Sequence, residues 1–259
     1  MSRGRRASSR IFLSLAGIAA VVGAWWLVSA PGLVSSSKLP SPPTVWTALW
    51  HRVEDGTIPV GIETSLLRLF FGMLVAVILG TLLGVGMASA QWFKRSVGSV
   101  VVGLQALPPI AWLPIAILWF GITERAVVFV VIVGAFPAIA MATASSVRHV
   151  PPVLIRAGRT LGADGWGLYR NVVVPAALPG YVEGLRQGWV FAWRSLMAGE
   201  LIVVGGRGLG HALDKAGRHF DAPTVLALMV VIAALGILID AGFAAIDRRV
   251  RTRRGLLVA

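Results

Sequence analysis

Four windows of at least 20 uncharged, mostly apolar residues interrupt this chain, at 11–30, 69–90, 96–123 and 126–147, and they restrict its fold more than any other feature. About 20 such residues make a helix long enough to cross the hydrocarbon of a bilayer. Inside hydrocarbon only helices and closed barrels satisfy their own backbone groups, and unbroken apolar runs of this length belong to helices. Composition agrees: 56% of the 259 residues are hydrophobic and 14% charged, against about 25% charged in a soluble domain. The expected fold class is all-α, a polytopic membrane helix bundle.

The first window is longer than the apolar core of about 7 to 15 residues in a signal peptide, so it is read as a retained span. A fifth segment, 179–203, is apolar but interrupted by Glu183, Arg186, Arg194 and Glu200, and a sixth runs from 222 to 246 with Asp240 near its end. Six transmembrane helices place both termini on one side of the membrane. One transmembrane domain over 1–259 is expected, with a tail at 1–10, a long loop at 148–174 and a basic tail at 247–259.

The formal charge of +13 could signify nucleic acid, anionic lipid or topology. If the N-terminus is inside, the inner segments carry Arg3, Arg5, Arg6, Arg10, Lys94, Arg95, Arg148, Arg156, Arg159, Arg170, Arg248, Arg249, Arg251, Arg253 and Arg254. The outer segments carry Lys38, Arg52, Arg125, Arg207, Lys215 and Arg218. Fifteen against six puts both ends in the cytoplasm, because short cytoplasmic loops hold the Lys and Arg excess. Basic residues spread over short segments at one face, with no folded aromatic-lined domain, speak against nucleic acid. The cluster from Arg248 to Arg254 also suits anionic head groups.

The absence of cysteine excludes disulfides, thiolate metal sites and cysteine nucleophiles. His51, His149, His211 and His219 form no H-x-x-x-H pair, so no metal site is written locally. Residues 41–55 carry Val45, Trp46, Leu49, Trp50 and Val53 at helical spacing after a proline-rich entry, which predicts a short amphipathic helix at the outer interface.

The stretch 148–174, RHVPPVLIRAGRTLGADGWGLYRNVVV, is too polar to span. Pro151 and Pro152 can open a helix and Gly162 can end it. Asp164 can cap a second through Asn171, with Pro175 marking a boundary. Exposed Leu161, Trp166, Leu168 and Tyr169 would make an apolar knob that wants a groove on a partner.

Arg156-Ala157-Gly158, then Gly162, then nine residues and Val172-x-Val174-Pro175 resemble the EAA-x-x-x-G-x(9)-I-x-L-P signature of permease subunits of bacterial ATP-binding-cassette (ABC) importers, proteins of MetI-like fold. The wording AGRTLGADGWGLYRNVVVPAALPG is similar to the branch that imports aliphatic sulfonates, taurine and nitrate. Further matches are LPSP at 39–42, ALPPIAWLPIAILWFG at 106–121 and AWRSLMAGELIV at 192–203, so the resemblance covers nearly the whole chain. It implies that the loop docks on a separate ATPase, with Arg156, Ala157, Gly158, Leu161, Gly162, Ala163, Asp164, Trp166 and Tyr169 as contact residues. Two departures stand out: Arg156 replaces the motif's glutamate and Gly158 its second alanine.

The chain lacks a phosphate-binding loop, which needs Gly-Lys-Ser or Gly-Lys-Thr, since Lys38, Lys94 and Lys215 follow Ser37, Phe93 and Asp214. The resemblance implies that ATP and Mg sit on the partner ATPase, that no cofactor is bound here, and that the chain is a transport subunit without catalytic residues. It also implies two ATPase copies, a second copy of this permease and an extracytoplasmic binding protein.

On the fifth segment, at about 100° per residue, Glu183, Arg186, Arg194 and Glu200 share about a third of the circumference. Gly180, Gly184, Gly188 and Ala192 form a small-residue ridge on another side. The polar face either borders a translocation pathway, with Arg186 or Arg194 meeting an anion, or is consumed by internal pairing such as Glu183 with Arg186. Pro108, Pro109, Pro114 and Pro137 are expected to kink the third and fourth spans. Gln105, Trp112 and Trp119 then either line the path or pack a kinked bundle. A secondary transporter would need inverted repeats, and none is visible.

Overall fold

The computed structural model describes residues 16–17, 19–29, 38–203 and 206–253, and every regular element among them is helical. The order is α1 (Ala19–Val28), α2 (Pro42–Glu54), α3 (Thr57–Ser89), α4 (Gln91–Ala106), a 3-10 turn (Pro109–Trp112), α5 (Leu113–Phe120) and α6 (Glu124–Arg148). There follow α7 (Pro152–Thr160), α8 (Gly165–Leu168), a π-helical turn (Tyr169–Val173), α9 (Val174–Ile202), α10 (Leu209–Arg218) and α11 (Ala222–Arg253). The N-terminal tail, the first residues of the first expected span and residues 254–259 lie outside the described residues.

α3, α6 and α11 are long and apolar enough to cross a membrane. α9, at 29 residues, is about 43 Å long at 1.5 Å per residue, but its charges together with Gln187 and its glycines and prolines make it less apolar than those three. The third expected span is not one helix: α4 and the segment Pro109–Phe120 meet at a bend of 101°. Pro108 and Pro109 cause the break, because a residue before proline is pushed out of the helical region, and Leu107 and Pro108 are extended at ψ 128° and 139°. Pro114 causes none, since it occupies the first turn of α5, where a missing N–H costs nothing. α6 runs on through a buried Pro137 without interruption.

Two compact units emerge among these elements: residues 1–59 with 212–231, and 60–211 with 232–259. In the first, Val45 of α2 is buried while Trp46 and Trp50 point outward. Arg52 holds Asp55 at 2.9 Å and reaches Asp221 and Thr224 at 3.4 Å. Asp221 accepts from the Thr224 N–H at the start of α11. Burial would push the Asp221 carboxyl up, but bonds from Thr224 and the Arg52 guanidinium hold it below its ordinary value.

In the second unit α6 is the core strut, with Val127, Val130, Val131, Ala135 and Ile139 buried against Trp189, Ala192 and Leu196 of α9. The expected glycine ridge is the contact surface: a methyl added at Gly188 would lie 2.5 Å from Ile139 Cγ1. α3 meets α6 the same way, since a methyl at Gly80 would lie 2.8 Å from the Phe136 carbonyl. Small residues let helices approach closely where no hydrophobic effect drives them together.

Candidate functional site

The loop at 148–174 folds into α7 and α8 joined at Gly162. The Gly162 N–H donates to the Arg159 carbonyl at 2.9 Å and the Ala163 N–H to the Gly158 carbonyl at 2.9 Å, the paired bonds of a Schellman stop. Gly162 has φ +82° and Gly165 φ +47°, a left-handed conformation that side chains disfavour. The turn is therefore set by backbone chemistry and presents Leu161 and Trp166 at 86% and 77% exposure, with Tyr169 also outward.

Arg156, Ala157, Gly162 and Asp164 are exposed too, and Ala163 is half-buried. Leu168, expected on that surface, is buried, and Gly158 is not on it either. It is buried, and a methyl there would lie 2.8 Å from Val172 Cγ2 and 3.0 Å from Leu168 Cδ1. α7 can lie on the next segment because the motif's alanine is missing.

Asp164 makes no side-chain cap, and α8 is four residues long instead of reaching Asn171. Nor does Pro175 end anything: it sits in the first turn of α9, and the π-helical turn joins α8 to α9 without a break. The knob is thus continuous in backbone with α9, the helix that carries Glu183, Arg186, Arg194 and Glu200.

Along α9 the four sequence-marked charges separate into three fates. Arg186 is consumed by α11, its Nε and Nη2 donating to both oxygens of Asp240 at 2.8 and 2.9 Å, with Glu183 at 3.9 Å. Glu200 does not face polar space, because it is fully buried. It accepts from Arg68 Nη1 at 2.7 Å, the Ser65 hydroxyl at 2.9 Å and the Gly210 N–H at 2.9 Å. Arg194 is exposed and makes no ion pair among the described residues, on the side of α9 that also exposes Glu183 and Gln187.

The Glu200 node extends further. Arg68, 4% exposed, also bonds Glu124 at 2.8 Å and the Arg207 carbonyl, while Ser65 accepts from the Leu209 N–H at 3.0 Å. Four segments meet in this network: α3 and the segment entering α10 bond the Glu200 carboxylate at the end of α9, and Arg68 links the start of α6 through Glu124. The sequence pointed to Glu200 and Arg186 but not to their counterparts, Ser65 and Arg68 for the first and Asp240 for the second. An ionisable residue inside an apolar helix needs a partner, and that rule applied to Arg68 and Asp240 would have found them.

Gln105 and Trp112 flank the 101° break, both half-buried, with Trp112 packed on the α6 core. Trp119 is exposed and contacts the Phe129 ring edge-on at 5.6 Å.

Comparison with known proteins bears on what this arrangement does. Residues 72–252 match the binding-protein-dependent transport system inner membrane component family. The taurine transport system permease protein of Escherichia coli (strain K12) is 31% identical over 253 residues, covering 96% of this chain and 92% of that one. The bicarbonate transport system permease protein of Synechococcus elongatus is 27% identical, covering 93% and 89%. An inward-facing structure of the MetNI methionine ABC transporter superposes with a TM-score of 0.65 at 25% identity, over 81% of this chain and 99% of the other.

Proposed function

The chain belongs to the family of binding-protein-dependent transport system inner membrane components and is a membrane-spanning permease subunit of an ABC transporter, and on that premise we propose that it imports a small anionic nutrient of the sulfonate class. The taurine and bicarbonate relatives support a substrate with a negatively charged oxyanion group, which the taurine zwitterion carries as its sulfonate and bicarbonate as its whole charge. Arg194 supports it from within this chain, as a cation on a membrane helix that no carboxylate among the described residues neutralises. Arg186 is a poorer contact, because Asp240 occupies its planar fork.

Energy comes from outside the chain. Two ATPase subunits carry ATP and Mg, and an extracytoplasmic binding protein delivers the nutrient to a pair of these permeases, with both termini of each in the cytoplasm. ATP closes the ATPase pair, the knobs move with it, and α9 follows because its backbone is continuous with α8.

The observation that carries this reading is the knob itself: Leu161 and Trp166 are large, apolar and exposed on a turn whose geometry does not depend on them. Replacing both, Leu161→Asp with Trp166→Asp, is expected to leave the chain folded and abolish co-purification of the ATPase. Unchanged recovery of the ATPase would refute the docking role.

A further inference from the structure

At the end of α6 opposite its Glu124 terminus, a cleft of about 490 Å³ lies between α4 and α6. Met87, Val102 and Met141 make its wall apolar, and Lys94, Arg148 and His149 stand along it. No Asp or Glu lines it among the described residues. Arg148 Nη2 donates to the Met87 carbonyl at 3.0 Å and the Gln91 side-chain oxygen at 3.1 Å, while its Nε is buried without a partner. Both acceptors are neutral, so they orient the guanidinium and leave its charge uncompensated. Guanidinium does not lose its proton in a protein, and a charge drawn partly out of water requires a counter-charge.

The surroundings say what supplies it. Lys94 is exposed in the first turn of α4, two residues after Trp92, which is 71% exposed. Tryptophan and lysine together mark head-group depth. Met87 and Ala144 of its lining belong to a buried apolar cluster with Val101 and Ala140. Two cations at head-group level above an apolar wall match one molecule, with a phosphate at one end and hydrocarbon at the other. A free inorganic anion would leave the wall unused.

We propose that this cleft binds an anionic glycerophospholipid of the inner leaflet, its phosphate held by Lys94 and Arg148 and an acyl chain laid along Val102 and Met141. The leaflet rests on the orientation proposed above. Arg148 closes α6 one residue before the loop that leads to α7, so the lipid steadies the root of the knob.

The test is lipid retention by the full-length chain, purified with its bound subunits and exchanged into nanodiscs containing equal phosphatidylglycerol and phosphatidylcholine. The unaltered protein is expected to keep phosphatidylglycerol preferentially. Lys94→Gln and Arg148→Gln should each lower that preference about fivefold, in line with the worth of one basic residue near an anionic surface, and Lys94→Arg should keep it. Gly98→Leu fills the cleft without removing a charge. The first carbon of its side chain meets only ordinary contacts, at 3.7 Å to Lys94 Cγ and 3.8 Å to Met87 Sδ, and it should displace the lipid.

Absence of any preference in the unaltered protein overturns the proposal, as does full retention in both Lys94→Gln and Gly98→Leu. Displacement of the lipid by an equal concentration of inorganic phosphate would make this a free-anion site and also overturn it. Because the chain has no cysteine, Lys94→Cys labelled by an impermeant thiol reagent reports the leaflet separately. Labelling from outside would overturn the inner-leaflet assignment while retention still decides the lipid.

Discussion

Gly158 shows how a departure from a family signature acquires a physical reason. The motif's alanine would place a methyl 2.8 Å from Val172 Cγ2, and overpacking of that kind costs about 1 to 3 kcal/mol. Gly158→Ala, although it restores the motif, is therefore expected to lower the thermal midpoint of the purified protein, and a second change, Val172→Ala, to recover most of the loss. Equal stability of Gly158→Ala and the parent would contradict the packing. Arg68 and Glu200 carry larger stakes, since removing one member of a buried ion pair costs about 3 to 5 kcal/mol. Arg68→Ala is expected to abolish recovery of folded protein from detergent, as judged by size-exclusion chromatography. Gly162 and the exposure of Leu161 and Trp166 were legible in the sequence because helix-stop chemistry is local. The partners of Glu200 were not, because Ser65 and Arg68 lie more than a hundred positions away and hydropathy treats Arg68 only as an interruption.

At the scale of elements, α9 is the decisive helix. Its glycine ridge was readable from spacing alone, and α6 occupies it. Its charged face was readable as a face but not as three different environments, since those depend on which neighbour each residue meets. The pair Arg186 and Asp240 ties α9 to α11, so exchanging the charges, Arg186→Asp with Asp240→Arg, is expected to restore the assembly that either single change weakens. Arg194→Ala should behave oppositely, leaving assembly intact and lowering uptake at least tenfold. Normal uptake in Arg194→Ala would remove it from the pathway. The broken third span was half legible: three prolines signalled irregularity, but only the consecutive pair Pro108-Pro109 produces the 101° bend. α10 was missed, because Leu209–Arg218 is short, polar and unlike a span.

For the whole molecule, the apolar windows foretold a helical membrane protein and the loop signature foretold its family. On the proposed function, transport is powered by a separate ATPase through the α7–α8 knob and not by an ion gradient through this chain alone. Reconstitution in proteoliposomes with the ATPase and the binding protein, reading accumulation of radiolabelled taurine, tests it most directly. Accumulation is expected to require ATP, and to vanish in Leu161→Asp with Trp166→Asp while the permease stays folded. Taurine uptake driven by a proton or sodium gradient without ATP, or ATP-driven uptake undiminished in the double variant, would contradict it.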